Sequence, residues 1–277
     1  SYTDDSSNKH ITTYKPRSYY VLGSNSYVRH ETMSGFTAGS GCAILWTMKN
    51  DGQGAGINPS ANGTYRLFEF TRSSSSNKSI EILVEKTITS INLICRRYFN
   101  DSTTDYRQTK FTNVFGSAHY GDNAWHTFKL IFGDAYNSDW GLYVDADGAF
   151  SGTTTHTEGG TVSNGDNANG VAGYAYVGDV SSNFSVRIGD LALYDANHVN
   201  EGVPNSSTFY NSGKWYDLKN IGSTTSLVSY WTFGNAVSDS KTDIHDQHGS
   251  NDLDSNVNTA NITTTNTRTD QTYIQTN

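Results

Sequence analysis

Short apolar runs separated by clusters of Gly, Asn, Asp and Ser follow one another from Tyr19 to about Leu253. The clearer runs are YYVLG (19–23), SYVRHE (26–31), CAILWTMK (42–49), YRLFEFTR (65–72), SIEILVEKT (79–87), INLICRRYF (91–99), WHTFKLIF (125–132), GLYVDAD (141–147), GYAYVG (173–178), FSVRIGDLALYD (184–195) and SLVSYWTFG (226–234). Many alternate apolar with polar positions, the two-residue period of a strand with one face in a core. Between them lie NDGQGAG, RSSSSNK, FNDSTTD and GGTVSNGDNANG, residues that favour tight turns. This spacing predicts an antiparallel sandwich. No segment carries a long 3.6-residue apolar period, and one short helix is expected near 205–213.

Parity inside two runs carries more information. In WHTFKLIF, Phe128, Leu130 and Phe132 share one face with His126, while Trp125, Thr127, Lys129 and Ile131 take the other. His126 therefore reads as a semi-buried histidine at a strand end, bonded to backbone, rather than a catalytic base, which would need an orienting group beside it. In FSVRIGDLALYD, three residues separate Ile188 from Leu191 but two separate Leu191 from Leu193. If all three face the core, the change of parity requires a bulge between Ile188 and Leu191.

Composition narrows the functional classes. Nineteen basic residues against 27 acidic give a net charge of −8, and Arg96-Arg97 is the only dense basic pair. Nucleic acid and anionic membrane surfaces are thereby disfavoured as partners. No apolar run approaches the roughly 20 residues that span a bilayer, and no signal peptide opens the chain. Cys42 and Cys95 both lie in apolar runs, as free buried thiols or, if their strands are neighbours, one disulfide. The six N-x-S/T sequons are expected by chance in so Asn/Ser/Thr-rich a chain.

Several motifs in order carry a resemblance. WHTFKLIF, a variable loop and GLYVDADG resemble the central hairpin of laminin G-like and concanavalin A-like jelly rolls. SYVRHE…GFTAGSGCAILWTMK resembles their first strands, and YVGDVSSNFSVRIGDLALYD a later segment with Ile188, Leu191, Leu193 and Tyr194 in the matching places. SSTFYNSGK is similar to their short helix, and SLVSYWTFGN…DIHDQHGSND to a closing strand and loop seen in domains from phage and marine microbial sources. The likeness covers about residues 19–253 and implies an all-β, antiparallel jelly-roll β-sandwich of the concanavalin A-like type. The expected organisation is a polar arm over 1–17, the sandwich over 18–254 and a Thr/Asn-rich arm over 255–277.

Domains of this kind include sugar binders, in which aromatic rings stack on pyranose faces and Asp or Asn bonds hydroxyls. The hairpin loop offers Asp134, Tyr136, Asn137, Asp139 and Trp140, and the glycine-rich stretch offers Asn164, Asp166, Asn167 and Asn169. For a cofactor none is expected. Calcium at Asp145 and Asp147 is the weak alternative, since two carboxylates fall well short of the six to eight oxygens the ion takes. Asp243, His245, Asp246 and His248 could hold a metal, but they lie in a turn-rich segment that reads as a solvated loop. Glycosidases need two facing carboxylates, and none of the six Glu is followed by Asp two residues later. Glu81 and Glu85 share a strand face and read as solvated positions.

The expected function is therefore a non-catalytic virion-surface structural protein, a capsid decoration or a fibre or tail module, displaying a lectin-like sandwich. Its expected partners are other virion proteins or copies of itself, held through the terminal arms, and host surface glycans. A secreted or cell-surface bacterial carbohydrate-binding or adhesin module is the alternative, and a glycoside hydrolase the weaker one.

Overall fold

A computed structural model describes residues 13–22, 25–38, 41–49, 59–73, 77–116, 119–122, 124–133, 140–145, 149–163, 166, 168–196, 203–205, 208, 224–233, 239–240, 242–257 and 262–275. Sixteen strands run through them: β1 (Thr13–Leu22), β2 (Ser26–His30), β3 (Gly41–Lys49), β4 (Gly63–Thr71), β5 (Lys78–Lys86), β6 (Ile91–Tyr98), β7 (Tyr106–Phe111), β8 (Trp125–Gly133), β9 (Gly141–Val144), β10 (Thr154–Gly159), β11 (Ala175–Asp179), β12 (Val186–Tyr194), β13 (Leu227–Trp231), β14 (Asp243–Ile244), β15 (Leu253–Val257) and β16 (Ile262–Gln275). They form a seven-stranded sheet, β16-β1-β12-β3-β8-β9 with β13 also on β12, and a nine-stranded sheet, β10-β7-β6-β5-β4-β11-β2-β15-β14. The named pairings are all antiparallel. The protein is thus an all-β antiparallel sandwich of the jelly-roll class, and the expected short helix lies almost wholly outside the described residues.

Inward-facing side chains follow the alternation. Cys42, Ile44, Trp46 and Met48 of β3 meet Phe128, Leu130 and Phe132 of β8 and Ile80, Ile82 and Val84 of β5 in one core. Trp46 stacks on Phe128 at 5.2 Å and meets Phe68 edge-on at 5.5 Å. The bulge expected in β12 is present. Ile188 pairs with Met48 and Asp190 with Thr47, so Gly189 is the extra residue, and Ile188, Leu191 and Leu193 all reach the core.

The outer face of the seven-stranded sheet is covered as well. Ala43, Leu45, Ala192 and Tyr194 pack there with Leu227 and Tyr230 of β13 and with Val203. Trp125, Thr127 and Lys129 take the face that parity assigns them, yet are buried too. Lys129 Nζ donates to Pro204 O at 2.7 Å, and burial pushes its ammonium down to about 8. Cys42 and Cys95 are free and buried; burial raises the Cys42 thiol to about 12 and holds Cys95 well above the ordinary thiol range.

β7 and β10 are strands that no apolar period marks in the sequence. β7 directs Arg107, Thr109 and Phe111 inward, and β10 is a largely exposed strand at the edge of its sheet. The terminal segments pair with each other, β1 against β16, with irregularities near Pro16 and Arg17. β16 lies at the edge of the seven-stranded sheet. No helix among the described residues is long and apolar enough to cross a membrane.

Candidate functional site

Strands β2, β4, β6, β8 and β12 end on one side of the sandwich, so the segments after residues 30, 71, 98, 133 and 194 gather there. Arg97 ties them together. Alternation along β6 turns Arg96 outward and Arg97 into the interior, where it is wholly buried and donates to Gly133 O at 3.1 Å and to Ala38 O. Asp195, one residue past β12, accepts from Ala38 N at 2.6 Å and from Thr37 Oγ1 at 2.7 Å. The basic pair of the sequence is thus no surface patch, since one of its two members is a loop anchor.

A cleft of about 670 Å³ opens among these loops, lined by Thr37, Arg72, Asn100, Asp101, Val171 and Ala172 and by their neighbours Ala168 and Gly170. Asn100 and Asp101 have φ of 55° and 56°, two successive left-handed residues that Asn and Asp tolerate better than most. Asp101 forms an ion pair with Arg72 at the rim, where both side chains are about half exposed. Beneath it, the buried Asn169 fixes the floor. Its Oδ1 accepts from Asp101 N at 2.8 Å, its Nδ2 donates to Lys78 O at 2.9 Å, and its backbone N–H donates to Tyr98 O. Asp166 binds Ser163 through its backbone N–H and hydroxyl, and these bonds with that of Asn100 hold its carboxyl below the ordinary range. The cleft therefore presents a cation, a carboxylate and an amide beside a small apolar wall.

The residues singled out in the sequence fall differently. Asp134, Tyr136, Asn137 and Asp139 lie outside the described residues, as do Asn164 and Asn167. Trp140 is turned inward, 8% exposed, with its indole N–H on Gly133 O at 3.1 Å and its ring edge-on to Phe132, so it offers no face to a ligand. Asn169 supports the cleft from below rather than lining it. Asp147 is outside the described residues. Asp145 has both oxygens engaged, Oδ1 by Thr127 N at 2.8 Å and Oδ2 by His126 Nδ1 at 2.7 Å, and is not a free calcium ligand.

His126 is buried as expected but not bonded to backbone. Its second nitrogen meets Asp122 Oδ1 at 2.8 Å, and Tyr120 meets the ring edge-on at 5.1 Å. Burial alone would lower its pKa; the hydrogen bonds and charges of Asp145 and Asp122 outweigh that and raise it. The same contacts lower Asp122 against its own desolvation. Both ring nitrogens face carboxylates, which suits the imidazolium, a donor at both positions.

On the outer face of the nine-stranded sheet, one cross-strand row runs Arg29, Tyr176, Glu69, Glu81, Arg96 and Gln108. Single-strand spacing could not reveal that Glu69 and Glu81 are register partners. Glu81 is not solvated but buried, taking Lys78 Nζ, Arg96 Nη1 at 3.4 Å and the Tyr98 hydroxyl. Lys78 Nζ also lies 3.5 Å from Glu69 Oε2. Arg66 stacks over Tyr176 at 4.4 Å and Tyr27 at 5.2 Å, and Arg96 over Tyr106 at 4.9 Å. Glu85 is half-buried; bonds from Lys110 and Asn92 lower its carboxyl despite desolvation.

No protein-family description matches the chain, and no curated protein does. Among solved structures, the binding domain of botulinum neurotoxin DC in complex with SialylT is 12% identical, with a TM-score of 0.45 over 76% of this chain and 48% of that one. The botulinum neurotoxin serotype G binding domain gives 11% and 0.46 over the same shares. The carbohydrate recognition domain of Emp46p in its potassium-bound form gives 15% and 0.34 over 67% of this chain and 88% of that one. The chain spans about half the length of the neurotoxin binding domains it matches, and none of the three scores reaches 0.5.

Proposed function

We propose that this chain is a non-catalytic, lectin-like module that holds a carbohydrate at the loop end of its sandwich. The observation that carries the reading is the cleft of Thr37, Arg72, Asn100, Asp101, Val171 and Ala172. A saccharide presents hydroxyls that both donate and accept, beside patches of C–H, and the cleft pairs donors and acceptors with an apolar wall. Asn169 and Arg97 fix the loops in advance, which lowers the ordering cost of binding. The non-catalytic assignment is supported by Glu69 and Glu81, the two carboxylates that register brings together. A lysine ammonium bridges them, so neither is left to act on a glycosidic bond.

The setting we propose is a virion surface, as a capsid decoration or a fibre or tail module. The sequence resemblance supports it, and so does β16, whose outer edge can extend its sheet onto another chain.

The test is a glycan array with the full chain, with calcium and with EDTA, followed by titration of any glycan retained. Arg72→Ala and Asp101→Asn are expected to weaken binding at least tenfold with the melting temperature unchanged. Absence of binding to any glycan at high protein concentration, or equal binding by both variants, would refute the site. For the setting, deletion of 262–277 should abolish incorporation into particles while β1 remains paired with β12. Full incorporation of the truncated chain would favour a secreted or cell-surface adhesin instead.

A further inference from the structure

The hairpin of β14 and β15 brings together groups that the sequence leaves scattered. Ile244 and Leu253 are register partners, and both are wholly buried in the core. With that apolar pair turned inward, the residues beside it, Asp243 and His245 next to Ile244 and Asp252 next to Leu253, take the outer side. One donor atom from each of the three lies within 4.8 Å of the other two. Donors about 2.1 Å from a tetrahedral cation lie about 3.4 Å apart, so the three atoms need draw together by no more than about 1.4 Å to close the set.

The imidazole is already turned for this role. His245 Nε2 faces Asp243 Oδ2 at 3.5 Å, while Nδ1 faces Asp239 Oδ1 at 3.5 Å on the opposite side. The Asp239 side chain is wholly buried and anchors the loop by accepting the His245 backbone N–H at 2.9 Å. Nδ1 itself is buried without a hydrogen-bond partner. A buried orphan ring nitrogen is costly, and a cation on Nε2 would fix the tautomer whose Nδ1–H points at Asp239. The other two residues of the sequence cluster do not take part. Asp246 Oδ1 accepts the N–H groups of Tyr230, His248 and Gly249, and its Oδ2 accepts that of Asn251. His248 is exposed, on the wall of a separate surface hollow.

We propose that Asp243, His245 and Asp252 bind one first-row divalent cation of the Zn²⁺ class, with Asp239 positioning the imidazole from behind. One imidazole with two carboxylates suits zinc or manganese; calcium takes oxygen donors throughout. The groups are partly exposed, which leaves water to complete the coordination. The site is independent of the carbohydrate cleft.

Calorimetric titration of the chelator-treated full chain with Zn²⁺, Mn²⁺ and Ca²⁺ tests this. One Zn²⁺ per chain is expected, with Ca²⁺ at least tenfold weaker. His245→Gln and Asp243→Asn should each weaken Zn²⁺ at least tenfold, Asp239→Asn about tenfold, and His248→Gln less than twofold. Long-range ¹H–¹⁵N spectra of the unmutated protein provide a readout that does not depend on variant folding: Zn²⁺ should shift the His245 Nε2 resonance. Absence of saturable Zn²⁺ binding, undiminished binding by His245→Gln, or a response confined to other histidines would overturn the site.

Discussion

Replacing His126 by Gln tests the electrostatic reading of the hairpin most directly. The imidazole and Asp145 are both nearly nine-tenths buried, so their bond is worth about 1.5–3 kcal/mol when charged. The Asp122 bond, with its carboxylate nearly half exposed, contributes under about 1 kcal/mol. Glutamine keeps one neutral donor, which leaves a net loss of about 1.5–3 kcal/mol. At about 2.1 cal/mol/K per residue over this length, the melting temperature should fall by about 3–5 °C. The loss must depend on pH. The folded imidazole titrates above its ordinary value of 6.5, so its stabilisation is complete below that value and disappears as pH rises through the folded pKa. Asp122 acts in the opposite sense: its contribution is present above its ordinary value of 3.8 and is lost as pH falls through its lowered folded pKa. Scanning calorimetry of both proteins from pH 5.5 to 9 should therefore show the widest gap near pH 6, closing on the alkaline side. A gap that stays constant, or one that widens with pH, would refute the imidazolium between two carboxylates. So would an NMR titration placing His126 below 6.5.

Lys129 predicts the reverse trend. Its folded pKa, about 8, lies below the ordinary 10.5, so the charged form costs stability below pH 8 and the cost fades between 8 and 10.5. Lys129→Met should raise stability by about 1–2 kcal/mol at pH 7, after the lost bond to Pro204 O is counted, and by much less at pH 10, as read from urea midpoints. Cys42 and Cys95 should resist thiol reagents at pH 8 in the folded protein and react at once in denaturant; appreciable labelling of the native chain would contradict their burial. Deleting Gly189 removes the bulge but shortens the Ile188–Leu191 spacing to two, so Ile188, Leu191 and Leu193 keep one face and the chain should still melt cooperatively; loss of the cooperative transition would refute the bulge.

The strands, their inward faces and the β12 bulge were legible because side-chain parity is a local property: any half-buried strand writes it into its own sequence. β7 escaped for the same reason. Its inward positions hold Arg107 and Thr109 before Phe111, and polar residues facing a core erase the period. The hairpin was legible, but not its chemistry. Asp122 and Asp145 lie on opposite sides of His126 in the chain, and only the β8–β9 register, Phe128 against Val144, places Asp145 beside it.

By itself, then, the sequence determined an all-β antiparallel sandwich, a core built from one parity of each strand, and a net acidic charge. Tertiary structure decided everything that rests on partners distant in sequence. It buried Trp140, made Arg97 a loop anchor, covered the second face of β3 and β8, bridged Glu69 and Glu81 with Lys78, and exchanged Asp246 and His248 for Asp252 around His245. The physical reason is range. Alternation is set within a few residues, whereas a hydrogen bond or a binding site is set by which strands become neighbours, and that choice belongs to the whole core.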